Sequence, residues 1–233
     1  MQEFPALRII GHIHNDFTEK FGIPRQSGLA DALCAQIVMQ PPYRNPDAFR
    51  GLEAYSHIWL IWQFSQALRH SWSATVRPPR LGGNTRVGVF ATRSPYRPSP
   101  IGLSCVALDR IEQTDNWGPV LHVRGADLLN GTPIYDIKPY LPYADAHPSA
   151  TDGLAEKRRI QPLQVDFPAQ LLCRIAPQVR AGLIQALEQD PRPGYQHEPA
   201  RVYKMAFAGF DVHFTVSEGR LAVCEVLPCR SEK

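Results

Sequence analysis

Residues 1–140 carry about seven short apolar runs, each closed by a turn signal: Leu7–Ile13, Ala32–Met39, Tyr55–Phe64, Val87–Ala91, Ile101–Ile111, Val120–Arg124 and Pro133–Tyr140. No amphipathic helical stretch alternates with them, and no Rossmann glycine fingerprint follows any of them. Strands that follow one another through turns close into a barrel or a sandwich rather than a doubly wound α/β sheet. Tyr55–Phe64 (YSHIWLIWQF) is aromatic and β-branched, which favours strand. It is apolar at nearly every position, so it is expected to be central and covered on both faces. Pro46–Leu52 fits a turn or two of helix with Asn45 as its N-cap. Asn116-Trp-Gly marks a hairpin turn, and Pro133 opens its strand where a missing N–H is tolerated.

The pattern changes after residue 145. Residues 143–159 are polar and read as linker. Between Pro168 and Gln189, Leu171, Leu172, Ile175, Val179, Leu183, Ile184 and Leu187 recur at helical spacing, with a break at Pro177. Arg201–Ala208, Phe210–Val216 and Arg220–Val226 then alternate and are joined by Gly209 and Glu218-Gly219, which predicts a β-meander. The expected organisation is a mainly β domain over residues 1–145, a linker over 146–160 and a small α+β domain over 161–233.

Composition excludes several classes. The longest apolar run, around Ile58–Trp62, is too short to span a bilayer. The first residues lack a basic region followed by a long apolar stretch, so no signal peptide is read and a cytoplasmic location is expected. Five cysteines include no C-x-x-C pair, which fits reduced thiols. Cys34 and Cys105 read as small core residues. His12 and His14 share a strand face but have no third ligand at metal-site spacing, and there is no H-E-x-x-H, so no metal is expected. Cys105 lacks the strand–elbow–helix context of a nucleophile.

Charge is concentrated rather than large. Net charge is +3, yet Arg77, Arg80, Arg86, Arg93 and Arg97 fall in one segment that holds no acid. Such a surface favours an anionic partner, nucleic acid first. Pro95, Pro98 and Pro100 fix φ and restrict the residues before them, so the loop holding Arg93 and Arg97 is stiff. A guanidinium fork suits carboxylate or phosphate. The polar loop Asn15–Leu29 presents Arg25 and Gln26 between Pro24 and Gly28. Asp136 and Lys138, two apart in a strand, share a face; an inward face would put them in the barrel mouth and an outward face at a solvated edge.

FGIPRQSGL (residues 21–29), RGLEAYSHIWL (50–60), RPPRLGGNTRVGVFATRSPYRPSPIGL (77–103), ADLLNGTPIYDIKPY (126–140) and QDPRPGY (189–195) together resemble the TsaA-like family, also known as TrmO and formerly YaeB. The resemblance implies a β-barrel S-adenosylmethionine-dependent tRNA methyltransferase that acts as a homodimer. It implies methylation of N6 of the threonylcarbamoyl-modified adenosine at tRNA position 37, in the anticodon stem-loop. It also implies a C-terminal domain that helps with tRNA. Carried over by motif, the cofactor residues are Pro24, Arg25, Gln26, Ser65, Gln66, Arg93, Leu103, Leu129, Asn130, Gly131 and Thr132. Asp136, or a water it holds, is expected to take a proton and Arg97 to stabilise developing negative charge; Arg77, Arg80, Arg86 and Lys138 are expected at the substrate, the three arginines on tRNA phosphate or else at a dimer contact. Ser65 stands where relatives often carry His, Ser99 where Asn is usual and Asn130 where Asp is usual. The other readings are a tRNA- or anion-binding module without catalysis, for which Ser65 and Asn130 would be the damage, and a small-molecule methyltransferase.

Overall fold

The computed structural model describes residues 6–66, 71–78, 85–151, 153, 161–193, 198 and 200–229. Six strands close a barrel: β1 (Gly11–His14), β2 (Cys34–Met39), β3 (His57–Gln63), β6 (Ile101–Thr114), β7 (Gly118–Arg124) and β8 (Pro133–Pro139), in the order β1-β2-β7-β6-β3-β8. Every pair is antiparallel. Alternation along the strands fills the interior with Ile13, Ile37, Ile58, Leu60, Val106, Leu121 and Ile134, all at most 1% exposed.

Antiparallel closure sorts the connections by end. The segments 15–33, 64–100 and 125–132 all leave and re-enter the barrel at one rim, because β1, β3 and β7 end there and β2, β6 and β8 begin there. The motif loops within 21–29, 77–100 and 126–132 are therefore gathered at one end by topology alone, while residues 50–56 lie at the opposite rim.

Two expectations about the strands change. Val87–Ala91 is not a barrel strand. Only β5 (Val87–Gly88) is extended, pairing with β4 (Thr75–Val76) outside the barrel, and Val89–Ala91 turns as a 3-10 helix. Six strands already close the ring and leave no edge for a seventh. The second concerns β3, which is central but not covered equally on both faces. Ile58, Leu60 and Trp62 point inward and are buried, whereas Trp59, Ile61 and Gln63 on the outer face are only partly covered. The Trp59 indole N–H is satisfied there by Asp145 at 3.0 Å, and its ring packs against Tyr140. Asn45 caps its 3-10 turn as expected, its side chain accepting the Asp47 N–H at 3.0 Å. Cys34 is exposed and Cys105 half-buried, since both fall on outward positions of their strands. Burial and the nearby charge of Asp145 push the Cys105 thiol up, away from nucleophilic character.

A short helix α1 (Pro142–Asp145) follows the barrel. The remainder forms a sheet of β9 (Gln164–Asp166), β10 (Tyr203–Phe207), β11 (Phe210–Ser217) and β12 (Arg220–Pro228), ordered β10-β11-β12-β9 with β9 parallel to β12. It packs with α2 (Ala169–Leu172) and α3 (Pro177–Glu188). The helical stretch breaks before Pro177, which sits at the first position of α3. No helix among the described residues is long and apolar enough to cross a membrane.

The small domain's core is not made by the small domain alone. Phe17, Ala30 and Leu33 of the 15–33 segment are buried in one cluster with Leu183, Leu187, Met205, Phe207 and Phe214, and Phe21 and Ile23 pack against it. Phe17 meets Phe207 edge-on at 5.1 Å. Ala32 N–H donates to Gln185 Oε1 at 2.8 Å, and Ala208 N–H to Asp16 O at 3.0 Å. Gly22, at φ 96°, lies so close to Met205 that an added Cβ would meet its sulfur at 2.1 Å. The segment that begins and ends in the barrel is thus fixed by the second domain.

Candidate active site

Loops from the gathered rim surround a cleft of about 350 Å³. The 15–33 segment contributes Arg25 and Gln26; the end of β3 contributes Trp62 and, just beyond it, Phe64; the 64–100 segment contributes Thr92, Arg93, Arg97 and Ser99; β6 contributes Ile101, Gly102 and Leu103; the 125–132 segment contributes Asp127. The volume falls within the range of small-molecule sites, roughly 300–1,000 Å³.

The arginine-proline loop holds itself in shape. Thr92 Oγ1 donates to Val89 O at 2.8 Å and accepts from Ser94 N–H at 3.2 Å, while Arg97 N–H donates to Pro95 O at 2.9 Å. Arg97 spends Nη1 on the same loop, on Thr92 O at 3.0 Å and Ser94 O at 3.4 Å, and its guanidinium lies 6.0 Å from the Phe90 ring centroid. Arg97 therefore staples the loop and presents its remaining donors to the cleft. Arg93 reaches across and donates to the Gln26 side-chain oxygen, tying two of the rim loops together. Arg25 donates to main-chain carbonyls of the small domain, Arg192 O at 2.9 Å and Asp190 O at 3.4 Å.

The floor is built from β3 and β6. An added Cβ at Gly102 would meet the Trp62 ring at 2.2 Å, so glycine is what lets the indole lie flat on β6. Trp62 also packs against Phe64 with centroids 4.3 Å apart. β6 pairs with β3 from Ile101 to Ala107 but with β7 only from Ala107 onward. Its other edge over residues 101–106 is thus open to the rim loops. The Cys105 N–H points to that edge and donates to Ser27 Oγ at 3.1 Å. Because main-chain groups alternate sides along a strand, Leu103 turns its N–H and C=O to the same edge, at the cleft.

Asp127 is the cleft's carboxylate. Ser104 Oγ, 1% exposed, donates to Asp127 Oδ1 at 2.5 Å and receives the Trp62 Nε1–H at 3.0 Å. Burial pushes the Asp127 carboxyl above its ordinary value. The Ser104 hydroxyl, the main-chain N–H groups of Asp127 and Ser27, and the Arg93 charge oppose the shift without cancelling it.

The carried-over residues divide by place. Arg25, Gln26, Arg93, Arg97 and Leu103 meet at the cleft, and Pro24 is buried beside them. Ser65 and Gln66 are exposed just beyond Phe64, where Gln66 O accepts from Lys20 Nζ at 3.2 Å. Leu129–Thr132 form the turn next to Asp127. Asn130 Oδ1 accepts the Asn15 N–H at 3.1 Å, and Asn130 N–H donates to Phe17 O at 2.9 Å. An amide oxygen does there what a carboxylate would do, so this turn needs no negative charge. Arg77 and Arg86 are exposed on the segment flanking the cleft, and Arg80 lies outside the described residues.

Asp136 and Lys138 are not brought to the cleft. A bulge at Tyr135 shifts the β3–β8 register, so Asp136 faces outward opposite Ile61 and pairs with Lys138 at 2.9 Å. Leu103 lies opposite Ile61 on its other side, which puts Asp136 two strand spacings, roughly 10 Å, from Leu103. Phe64, carried over by motif with Ser65 and Gln66, lines the cleft, whereas Asp127, Trp62, Ser104 and Ser27 were not foreseen as site residues. The available signal for Asp127 was its place as the lone acid at the start of the motif ADLLNGTPIYDIKPY, ahead of the Leu129–Thr132 turn.

The family model described as the tRNA-methyltransferase O N-terminal domain matches residues 12–146. The chain belongs to the TrmO family. The TrmO C-terminal domain model matches residues 160–229, so both parts of the chain are accounted for. A protein of Escherichia coli strain K12 named tRNA (adenine(37)-N6)-methyltransferase is 39% identical over 227 residues, covering 94% of this chain and 96% of that protein. A Pseudomonas aeruginosa protein named putative S-adenosylmethionine-dependent methyltransferase RcsF is 43% identical over 213 residues, 88% of this chain and 90% of its own. The crystal structure of P. aeruginosa TrmO superposes with a TM-score of 0.79 at 35% identity, over 98% of this chain and 99% of that one.

The lining of the cleft in this TrmO member is compatible with S-adenosylmethionine, which appears in the name of the P. aeruginosa relative. Guanidinium groups of Arg25, Arg93 and Arg97 suit an α-carboxylate, Trp62, Phe64 and Leu103 offer apolar walls, and the open β6 edge offers an N–H and a C=O to a purine. Among the described residues no group of three or more His, Cys, Asp or Glu is placed to hold a metal ion.

Proposed function

We propose that this chain is a tRNA methyltransferase that moves a methyl group from S-adenosylmethionine to N6 of adenosine 37, the nucleoside beside the anticodon. The observation that carries the reading is the cleft itself. A topologically gathered rim brings arginine forks, aromatic walls and one shielded carboxylate together, in a chain that matches TrmO along both its domains.

S-adenosylmethionine supplies an electrophilic methyl group when bound. Arg25 and Arg93 hold its carboxylate, Leu103 and Gln26 its polar edges, and Trp62 with Phe64 its apolar face. Pro24 fixes the backbone that carries Arg25, and the exposed Ser65–Gln66 pair and the Leu129–Thr132 turn follow the lining residues Phe64 and Asp127 along the chain. The nucleoside carries a threonylcarbamoyl group, whose carboxylate meets Arg97. That guanidinium also stabilises negative charge that develops as N6 reacts. Positioning supplies most of the rate, since the two reactants are held by one rigid rim.

The tRNA reaches the cleft over a basic surface that includes Arg77, Arg86 and Lys138, with phosphate neutralisation providing affinity. Trp72 and Phe90 stack with centroids 6.3 Å apart beside Arg97 and are 52% and 72% exposed. Such a pair takes an unpaired loop base on its face. The small domain adds contacts to the anticodon stem. The enzyme works in the cytoplasm as a homodimer, and exposed Tyr55 and Tyr143 on the barrel's outer side suit a partner surface. Catalysis does not founder on Asn130, because its amide oxygen already completes the turn.

The test uses the purified full chain, methyl-labelled S-adenosylmethionine and tRNA with and without threonylcarbamoyladenosine. Label is expected at N6 of nucleoside 37 of the modified tRNA. Cofactor binding by calorimetry without transfer to any tRNA would support the small-molecule reading instead, and absence of binding the inert one.

A further inference from the structure

N6 of the substrate begins with a hydrogen and ends with a methyl group in its place, so a proton must leave. N6 is also acylated, and its lone pair is delocalised into the carbonyl. It becomes a competent nucleophile only as that proton departs. The cleft contains few groups able to receive it. Guanidinium groups are already protonated, and apart from Asp127 the other lining side chains are an amide, hydroxyls, an indole and hydrocarbon.

We infer that Asp127 is the proton acceptor of the reaction and that Ser104, oriented by Trp62, is its positioning residue. This rests on the methyltransferase reading above. As the N6–methyl bond forms, the methyl's bond to sulfur breaks and the sulfonium becomes a neutral thioether. The N6 proton passes to the Asp127 carboxylate, which releases it to water after product leaves. Charge is conserved: one cation is lost at sulfur and one anion at Asp127.

The surroundings suit the task. The Trp62 indole N–H fixes the Ser104 oxygen at 3.0 Å, and the Ser104 hydroxyl fixes Asp127 Oδ1 at 2.5 Å, so the carboxylate cannot swing away. The Arg93 charge acts on it, and Arg25 and Arg97, also from the rim loops, line the same cleft. The lining stretches of β3 and β6 bring no ionisable side chain, and among the residues lining the cleft the 125–132 segment brings only Asp127. Burial raises its basicity toward neutrality, where a general base is most effective. Asp136, outward and paired with Lys138, has neither the position nor the shielding.

The experiment compares the full-length wild type, Asp127→Asn and Ser104→Ala. Asp127→Asn is isosteric and can still accept from Ser104. It is expected to bind S-adenosylmethionine in calorimetry within a few-fold of wild type and to lose roughly 10²–10⁴-fold in kcat. Wild-type kcat is expected to rise with pH through the raised carboxyl value and then level off. The acid limb should be missing in Asp127→Asn and moved to higher pH in Ser104→Ala, which removes a hydrogen bond to the charged form. Carbon-13 NMR of labelled aspartate, without tRNA, should show one carboxyl titrating at that same pH, absent from Asp127→Asn. If Asp127→Asn does not fold, the Ser104→Ala shift decides. Full turnover in Asp127→Asn, or an acid limb unmoved by Ser104→Ala, overturns the assignment. A wild type that binds the cofactor but methylates no tRNA overturns the functional reading and this inference with it.

Discussion

Arg25 Nη2 donates to the main-chain carbonyl of Arg192 at 2.9 Å, joining residues 167 apart in sequence. The Arg192 end is itself fixed, because its side chain grips Asp190 at 2.8 and 3.0 Å. A loop of the small domain thus sets the pose of an arginine at the barrel's cleft. The small domain is for this reason part of the scaffold of the cleft.

Loosening that scaffold should reach the cofactor without touching it. Gly22→Ala sets a Cβ against the Met205 sulfur at a φ that favours glycine. It is expected to lower Tm by several degrees, to weaken S-adenosylmethionine binding about tenfold and to leave the Asp127 pH limb in place, the affinity change being near 1.4 kcal/mol. Phe17→Ala should cost about 3–5 kcal/mol in chemical denaturation, as for a buried phenylalanine. Calorimetry and a melting curve check both.

Gly102→Ala tests the floor of the cleft. The new methyl would overlap the Trp62 ring and force the indole off its hydrogen bond to Ser104. A stability loss of about 1–3 kcal/mol and a fall in kcat larger than any rise in KM are expected. The Trp62 indole N–H resonance should move in NMR spectra.

The strand runs were legible because β-branched and aromatic residues alternating between turn signals have few other folds open to them. Val87–Ala91 was misleading because a short apolar run carries no information about which sheet it joins. The 15–33 segment read as a loop for a physical reason. Phe17, Phe21, Ile23, Ala30 and Leu33 have no regular period, and their partners on α3, β10 and β11 lie more than 100 positions later. The motif arginines were legible as fixed cations, but Arg97's ties to Thr92 and Ser94 were not. Asp136 stood out as part of a motif, and only the bulge at Tyr135 decides its outward face. Asp127 sits in the same motif but was not singled out, because its character comes from burial and from Ser104, a hydroxyl supplied by a neighbouring strand.

Replacing forks with point charges separates the two arginines. Arg93→Lys keeps charge but loses the bidentate geometry and the bond to Gln26. It is expected to raise the dissociation constant for S-adenosylmethionine about tenfold, near 1.4 kcal/mol. Arg97→Lys loses the loop staple and should depress kcat/KM for tRNA more than cofactor affinity. Unchanged kcat/KM in both variants would count against the fork assignments.

The exposed aromatic pair should matter to RNA alone. Phe90→Ala and Trp72→Ala are expected to weaken tRNA binding by about 1–3 kcal/mol each, as for a lost base stack, while leaving cofactor binding unchanged. Sedimentation of the same variants tells stacking from a subunit contact, since a change in oligomeric state would move the pair to the dimer interface.

The most direct test is mass spectrometry of anticodon-loop nucleosides from cells with the gene deleted and from cells complemented with it. The account predicts that the N6-methyl form of threonylcarbamoyladenosine at position 37 disappears on deletion, leaves the unmethylated form behind and returns with the wild-type gene. An unchanged level of the methylated nucleoside in the deletion strain would contradict it.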